Sequence, residues 1–154
     1  MSISRRDWIK SVALAVLVSR RAFGAVSLAA APIKITVYKT PTCGCCKDWV
    51  AYLAKNGFSP TVHDLDDLTE TKTALRVPPT LASCHTAVIG RYVIEGHVPA
   101  DLIKKLVADH PTTIVGLAVP GMVAGSPGME TGVKEPYDVI AFTADGKRSV
   151  YAHR

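Results

Sequence analysis

The chain has 154 residues, 18 Lys and Arg against 13 Asp and Glu for a formal charge of +5, four Cys and 48% hydrophobic residues. That length builds one domain whose core does not depend on disulfides, and 20% charged residues with this hydrophobic content excludes a mainly disordered protein. No apolar run reaches the roughly 18 residues of a membrane-spanning helix.

The first segment, MSISRRDWIKSVALAVLVSRRAFGAVSLAAAP, has a basic start, an apolar core from Val12 to Val18 and then small residues. This is the layout of a secretory signal. Ser4-Arg5-Arg6-Asp7-Trp8-Ile9-Lys10 resembles the twin-arginine export signal, with Trp8 where Phe is usual. Ala22-Phe23-Gly24 is the expected cleavage site, giving a signal over 1–24, with a later cut as far as 31 as the alternative; an uncut membrane anchor is the other reading. Removing 1–24 takes away five basic residues and one acidic one, which leaves 13 against 12 and a charge of +1. The basic character therefore belongs mostly to the signal, and neither nucleic acid nor, after cleavage, a membrane is expected as a partner. Localisation is expected to be periplasmic.

In the remaining chain, the apolar residues of Ile33–Tyr38 alternate and are β-branched, which predicts a strand. Thr40-Pro41-Thr42 breaks it. From Cys46, the residues Trp49, Val50, Leu53 and Ala54 form a helical stripe that Asn56-Gly57 ends. Thr61–Leu65 reads as a second, parallel strand, and Asp67 with Glu70 resembles a capping box for a short helix through Leu75. Around Gly90-Arg91, Ala87–Ile89 and Tyr92–Ile94 predict a hairpin, and Pro99 starts a helix that buries Leu102, Ile103, Leu106 and Val107 before stopping at His110-Pro111. This β-α-β-α-β-β-α order is that of the thioredoxin-like α/β fold. Residues 111–136 hold five Gly and four Pro and predict an irregular loop that carries Met122 and Met129. Residues 137–151, around Asp145-Gly146, predict a closing β-hairpin, so that 33–154 forms a single domain.

The chemistry concentrates on sulfur. Cys43 and Cys46 form a C-x-x-C at a strand-to-helix junction, where the first helical amides and the helix dipole favour a thiolate. Pro79-Thr80-Leu81 sits where thioredoxin-like proteins carry a cis-proline loop, with Pro79 favoured over Pro78 as the cis residue. Alone, these features describe a thiol–disulfide oxidoreductase with Cys43 as nucleophile and Cys46 as resolving thiol. Cys45 gives that pair a competing partner and places three thiols within one helical turn, and Cys84 in Ser83-Cys84-His85-Thr86 adds a fourth near the proline loop. Such a set selects Cu(I) or Zn(II) over hard ions. After the first residue the only Met are Met122 and Met129, and a thioether is a ligand that Cu(I) accepts and Zn(II) rarely uses. His85 and His97 flank the hairpin and offer imidazole ligands. The competing readings are two structural disulfides among the four Cys, loop packing for the two Met, and a hydrogen-bonded structural role for His85. His63 and His110 read as structural, and His153, on a C-terminus expected to fray, has no assigned role.

Thr42-Cys43-Gly44-Cys45-Cys46-Lys47 with Trp49, then Ser83–Ala87, Tyr92–Ala100, Gly116–Met122 and Gly125–Met129 resemble, in order, the motifs of the CopG-type copper-resistance proteins. The resemblance covers nearly all of 33–151. It implies a periplasmic thioredoxin-like protein in which Cys43, Cys45, Cys46 and Cys84 bind Cu(I) as a sulfur-bridged multinuclear cluster. Met122 and Met129 match that family's Met motif. A copper redox role, and exchange of copper with other periplasmic copper-handling proteins, follow from the same resemblance.

Overall fold

The computed structural model describes residues 31–154, and the signal expected over 1–24 lies outside the described residues. The elements are β1 (Ile33–Lys39), α1 (Gly44–Lys55), β2 (Phe58–Asp64), α2 (Thr69–Ala74), a 3-10 turn (Pro79–Leu81), β3 (His85–Ile89), β4 (Tyr92–Glu95), α3 (Ala100–Asp109), β5 (Ile114–Ala118), β6 (Asp138–Thr143) and β7 (Arg148–His153). The seven strands make one sheet in the order β2-β1-β3-β4-β5-β6-β7. β2 runs parallel to β1, as the intervening helix requires, and β3 and β4 pair antiparallel across the Gly90 turn. Pro60 is tolerated in β2 because that strand lies at the sheet edge.

Side chains alternate across the strands, so each face of the sheet has its own apolar cluster. On one face Ile35, Val37, Ile94, Leu117 and Ala141 pack with Trp49 and Leu53 of α1 and with Ile103 and Leu106 of α3. On the other, Val93, Ala118 and Phe142 pack with Val77 and Leu81 from the segment after α2. Trp49 fills the first cluster and its indole donates to the Val98 carbonyl at 3.0 Å. This fixes the start of α1 against the chain that leads into α3.

Four expectations are corrected. Residues 111–136 contain the strand β5, parallel to β4 and antiparallel to β6. Its identity comes from pairing on both sides, which composition does not reveal. Gly116 is what lets the strands close there, since a Cβ would stand 2.1 Å from the Val93 carbonyl oxygen and 2.5 Å from the Phe142 ring. The expected cis proline is absent: no cis peptide bond occurs among the described residues, and Pro79 instead opens the 3-10 turn, a position that suits its fixed φ and missing N–H. Asp67 does not form a capping box with Glu70; its carboxylate accepts from the Thr69 amide at 2.9 Å and hydroxyl at 2.7 Å, a turn that leads into α2. The C-terminus is not frayed, because His153 pairs with Asp138 in the sheet and Tyr137 and Arg154 exchange two main-chain hydrogen bonds of 2.9 Å. The closing hairpin forms as expected and extends the sheet through β6 and β7.

Candidate metal centre

β1 ends at Lys39, and the Cys43 amide donates to the Thr40 carbonyl at 3.2 Å, which turns the chain into α1. Cys43 is the N-cap in an extended conformation, so its side chain and those of Cys45 and Cys46 sit around the first helical turn. Cys43 and Cys46 are joined by a disulfide, while Cys45 and Cys84 are free thiols. Cys46 is fully buried and Cys43 partly exposed, so an incoming reagent reaches the bond through Cys43. Cys45 Sγ lies 3.5 Å from Cys43 Sγ and 3.9 Å from Cys84 Sγ. Cys84 stands across from the helix, between the 3-10 turn and β3, and its carbonyl oxygen lies 3.8 Å from Cys46 Sγ. The four sulfur atoms all fall within 4.8 Å of one another.

Two imidazoles complete the surroundings of Cys84. Its Sγ is 3.4 Å from His85 Nδ1 and 3.2 Å from His97 Nε2, and these three donor atoms also lie within 4.8 Å of one another. His97 Nδ1 is 2.8 Å from the Pro127 carbonyl, which can only accept, so Nδ1 carries the proton and Nε2 turns its lone pair to Cys84. The Cys84 thiol then donates to His97 Nε2 and is free to accept from His85 Nδ1. His85 is fully buried, 4.3 Å from the Trp49 ring and edge-on to His97 at 4.9 Å, and its Nε2 has no hydrogen-bond partner.

The electrostatics keep these groups neutral without metal. Burial, with the adjacent Cys45 thiol, pushes the Cys84 thiol up to about 11. Burial holds His85 well below the usual imidazole range, with the neighbouring His97 and Lys72 adding to the effect, and burial lowers His97 as well. Neutral imidazoles are competent ligands, and thiols that lose their protons to a bound cation become so. The donor set is soft, sulfur first and imidazole second, with no carboxylate among the clustered groups. That set fits a thiophilic ion such as Cu(I) or Zn(II) and not a hard one.

The structure thus brings together Cys43, Cys45, Cys46, Cys84, His85 and His97. It treats the two methionines differently. Gly128, at φ +81°, packs so closely on α1 that a Cβ would stand 2.7 Å from the Trp49 amide and 2.9 Å from the Cys45 carbonyl, so the main chain passes beside the cysteine-bearing turn just before Met129, which is half-buried. Met122 is 62% exposed; its neighbour Gly121 is tied through its carbonyl to the Ser83 hydroxyl. Sequence reasoning missed Pro127, which acts through its carbonyl and so has no side-chain signal. It also missed Glu95, whose signal was present: a lone acid in the otherwise apolar Tyr92–Glu95 strand, paired with Lys72 of α2.

A seven-stranded sheet entered through β1-α1-β2, with a C-x-x-C disulfide at the head of α1, defines a thioredoxin-like protein, here one with two additional cysteines at the same point. The sequence model of the glutaredoxin family matches residues 35–77, and that of a family of unknown function, DUF411, matches residues 81–129. Two solved structures, described as copper resistance protein CopG in its form 1 and form 2, each share 46% identity with the chain, superpose with a TM-score of 0.76, and align over 80% of this chain and 98% of their own. No curated protein matches. The chain belongs to the CopG family of copper resistance proteins.

Proposed function

We propose that the protein is a periplasmic Cu(I)-binding protein of copper resistance, in which Cys43, Cys45, Cys46 and Cys84 hold more than one copper ion through bridging thiolates. The observation that supports this most is the convergence of four sulfur atoms within 4.8 Å, far more than an exchange catalyst uses. Thiolates bridge Cu(I) readily; the proximity of His85 and His97 to Cys84 supports them as further ligands, Met129 is proposed as a thioether ligand, and Met122, being exposed, suits the copper entry side. The C-x-x-C ties occupancy to redox state. Reducing the Cys43–Cys46 disulfide takes two electrons and two protons and supplies two of the four thiols; closing it again withdraws those donors and releases metal. Copper redox activity belongs to the same site: two Cu(II) ions each take one electron from the Cys43 and Cys46 thiolates, which join as the disulfide and leave two Cu(I). The basic, apolar leader with Arg5-Arg6 supports export to the periplasm, where other copper-handling proteins are the partners for donation and acceptance.

A second reading is thiol–disulfide exchange by Cys43 and Cys46, favoured by the disulfide itself and by the exposure of Cys43 over Cys46. Anaerobic Cu(I) titration of the reduced full chain against a competing chelator separates the two. More than one tightly bound ion per chain is expected, and Cys45→Ser should weaken binding at least tenfold, the loss of roughly 1.4 kcal/mol or more with one bridging ligand. No binding, together with insulin reduction that survives Cys45→Ser, leaves the exchange reading.

A further inference from the structure

Glu95 has no role in the reading above, yet its carboxylate has no exposed surface. Its main chain does not explain the burial. Glu95 already pairs with Thr86 on β3 and Ala118 on β5, and its carbonyl accepts from the Val119 amide at 3.0 Å. The side chain is directed elsewhere. Oε1 accepts from the Ser83 amide at 2.6 Å and from Lys72 Nζ at 2.5 Å, and Oε2 accepts from the Thr86 hydroxyl at 2.6 Å. Lys72 Nζ also donates to Thr86 Oγ1 at 2.9 Å, which closes the network.

The one segment in this network that no strand holds is Ser83-Cys84, between the 3-10 turn and β3. Its other restraints are few: the Ser83 hydroxyl donates to the Gly121 carbonyl, and Gly96, whose Cβ would stand 2.6 Å from Ser83 Oγ, abuts it from the end of β4. We propose that Glu95 is a positioning residue for metal uptake: through the Ser83 amide it fixes the main chain that carries Cys84, so that Cys84 Sγ meets Cys45 and His97 as a metal site needs. The inference rests on the copper reading of the cysteine cluster. A buried carboxylate suits the task because a charged acceptor makes the stronger hydrogen bond to an amide; burial pushes the Glu95 carboxyl up, and the Lys72 charge with the three hydrogen bonds pulls against that rise in favour of the ionised form. In Glu95→Gln the amide oxygen that faces Ser83 is neutral and makes the weaker bond, and the NH2 in place of Oε2 gives the Thr86 hydroxyl, which already accepts from Lys72, a second donor where it had an acceptor.

The test compares the full chain with Glu95→Gln and, as a control for general destabilisation, Ile103→Val in the α3 core. Under anaerobic, reducing conditions, iodoacetamide labelling of Cys84 relative to Cys45 is followed by mass spectrometry, and Cu(I) binding by chelator competition and by the thiolate-to-copper absorption. Glu95→Gln should raise the Cys84 to Cys45 labelling ratio about tenfold, weaken Cu(I) binding about tenfold and alter the absorption, as loss of a charge-assisted hydrogen bond predicts, while Ile103→Val changes none of these. Should Glu95→Gln not fold, Glu95→Gln with Lys72→Met removes the partly buried ammonium left without its carboxylate and should show the same changes. A folded variant with the parental labelling ratio and copper affinity overturns the proposal. A parental chain that binds no Cu(I) overturns the copper reading instead, and the labelling ratio then still decides whether Glu95 places Cys84.

Discussion

The Cys84 sulfur meets one thiol and two imidazole nitrogens within 3.9 Å, and its own proton is held tightly, at about 11, by burial and by Cys45. Metal uptake therefore displaces that proton at any pH below about 11, and the apparent affinity rises with pH over that range. The two imidazoles add little to that slope near neutrality, because burial lowers both and leaves them no proton for the metal to displace there. Chelator competition between about pH 6 and 8 should show log affinity rising by about one unit per pH unit for each thiol displaced, and Cys84→Ser should lower that slope by about one. An unchanged slope would place Cys84 outside the bound set. His97 shows how a single residue's role depends on a distant carbonyl. Pro127 accepts from Nδ1 and so directs the lone pair of Nε2 at the site, a tautomer that a free imidazole has no reason to prefer.

At the scale of elements, the head of α1 and the segment between β5 and β6 act together. Residues 119–136 do not cover the site by composition; they are seated by Gly128, which approaches the Cys45 carbonyl and Trp49 amide where no side chain fits. The turns around Gly128 are closed by the Met129 amide to Ser126 carbonyl bond and the Gly125 amide to Met129 carbonyl bond, both 2.8 Å. Gly128→Ala combines a Cβ clash with a left-handed backbone that disfavours Ala, an expected cost of about 1–3 kcal/mol. The clash is with main-chain atoms of α1, so relief comes from moving the segment away, which takes the Pro127 carbonyl from His97 and shifts the adjoining Met129. Thermal denaturation should show a lower Tm with a single cooperative transition, and copper titration a weaker site. A variant with reduced Tm and parental copper affinity would mean that this segment stabilises the fold without serving the metal.

Among the described residues, the apolar clusters on the two faces of the sheet are complete without any metal, since the cysteines lie at the head of α1 and just before β3 and of them only Cys46 is buried. Residues 32–154 expressed without the leader should therefore fold metal-free, with native circular dichroism and one unfolding transition, and take up copper afterwards. On the proposed export by the twin-arginine route, which carries folded proteins, Arg5→Lys with Arg6→Lys should strand a folded, metal-free chain in the cytoplasm, as cell fractionation would show. A leaderless chain that stays unfolded until copper is added would overturn both expectations.

The sequence by itself determined the local elements and the chemical class of the site. Alternating β-branched residues specify β1, the Trp49, Val50, Leu53 stripe specifies α1, and the Gly90 and Asp145-Gly146 turns specify two hairpins, because these depend on neighbours within a few positions. Three thiols in four residues, with a fourth beside a histidine, mark a sulfur-rich site of a class capable of binding a soft metal. Only the tertiary structure decided what depends on residues far apart in the chain. It made β5 a strand by pairing it on both sides, kept Pro79 trans at the start of a 3-10 turn, and set Cys84 3.9 Å from Cys45. It also separated the two methionines that composition treats alike, one half-buried next to the glycine that packs on α1 and the other exposed. The physical reason is the same in each case: these are contacts between main-chain or side-chain atoms tens of residues apart, and no local pattern encodes where such atoms meet.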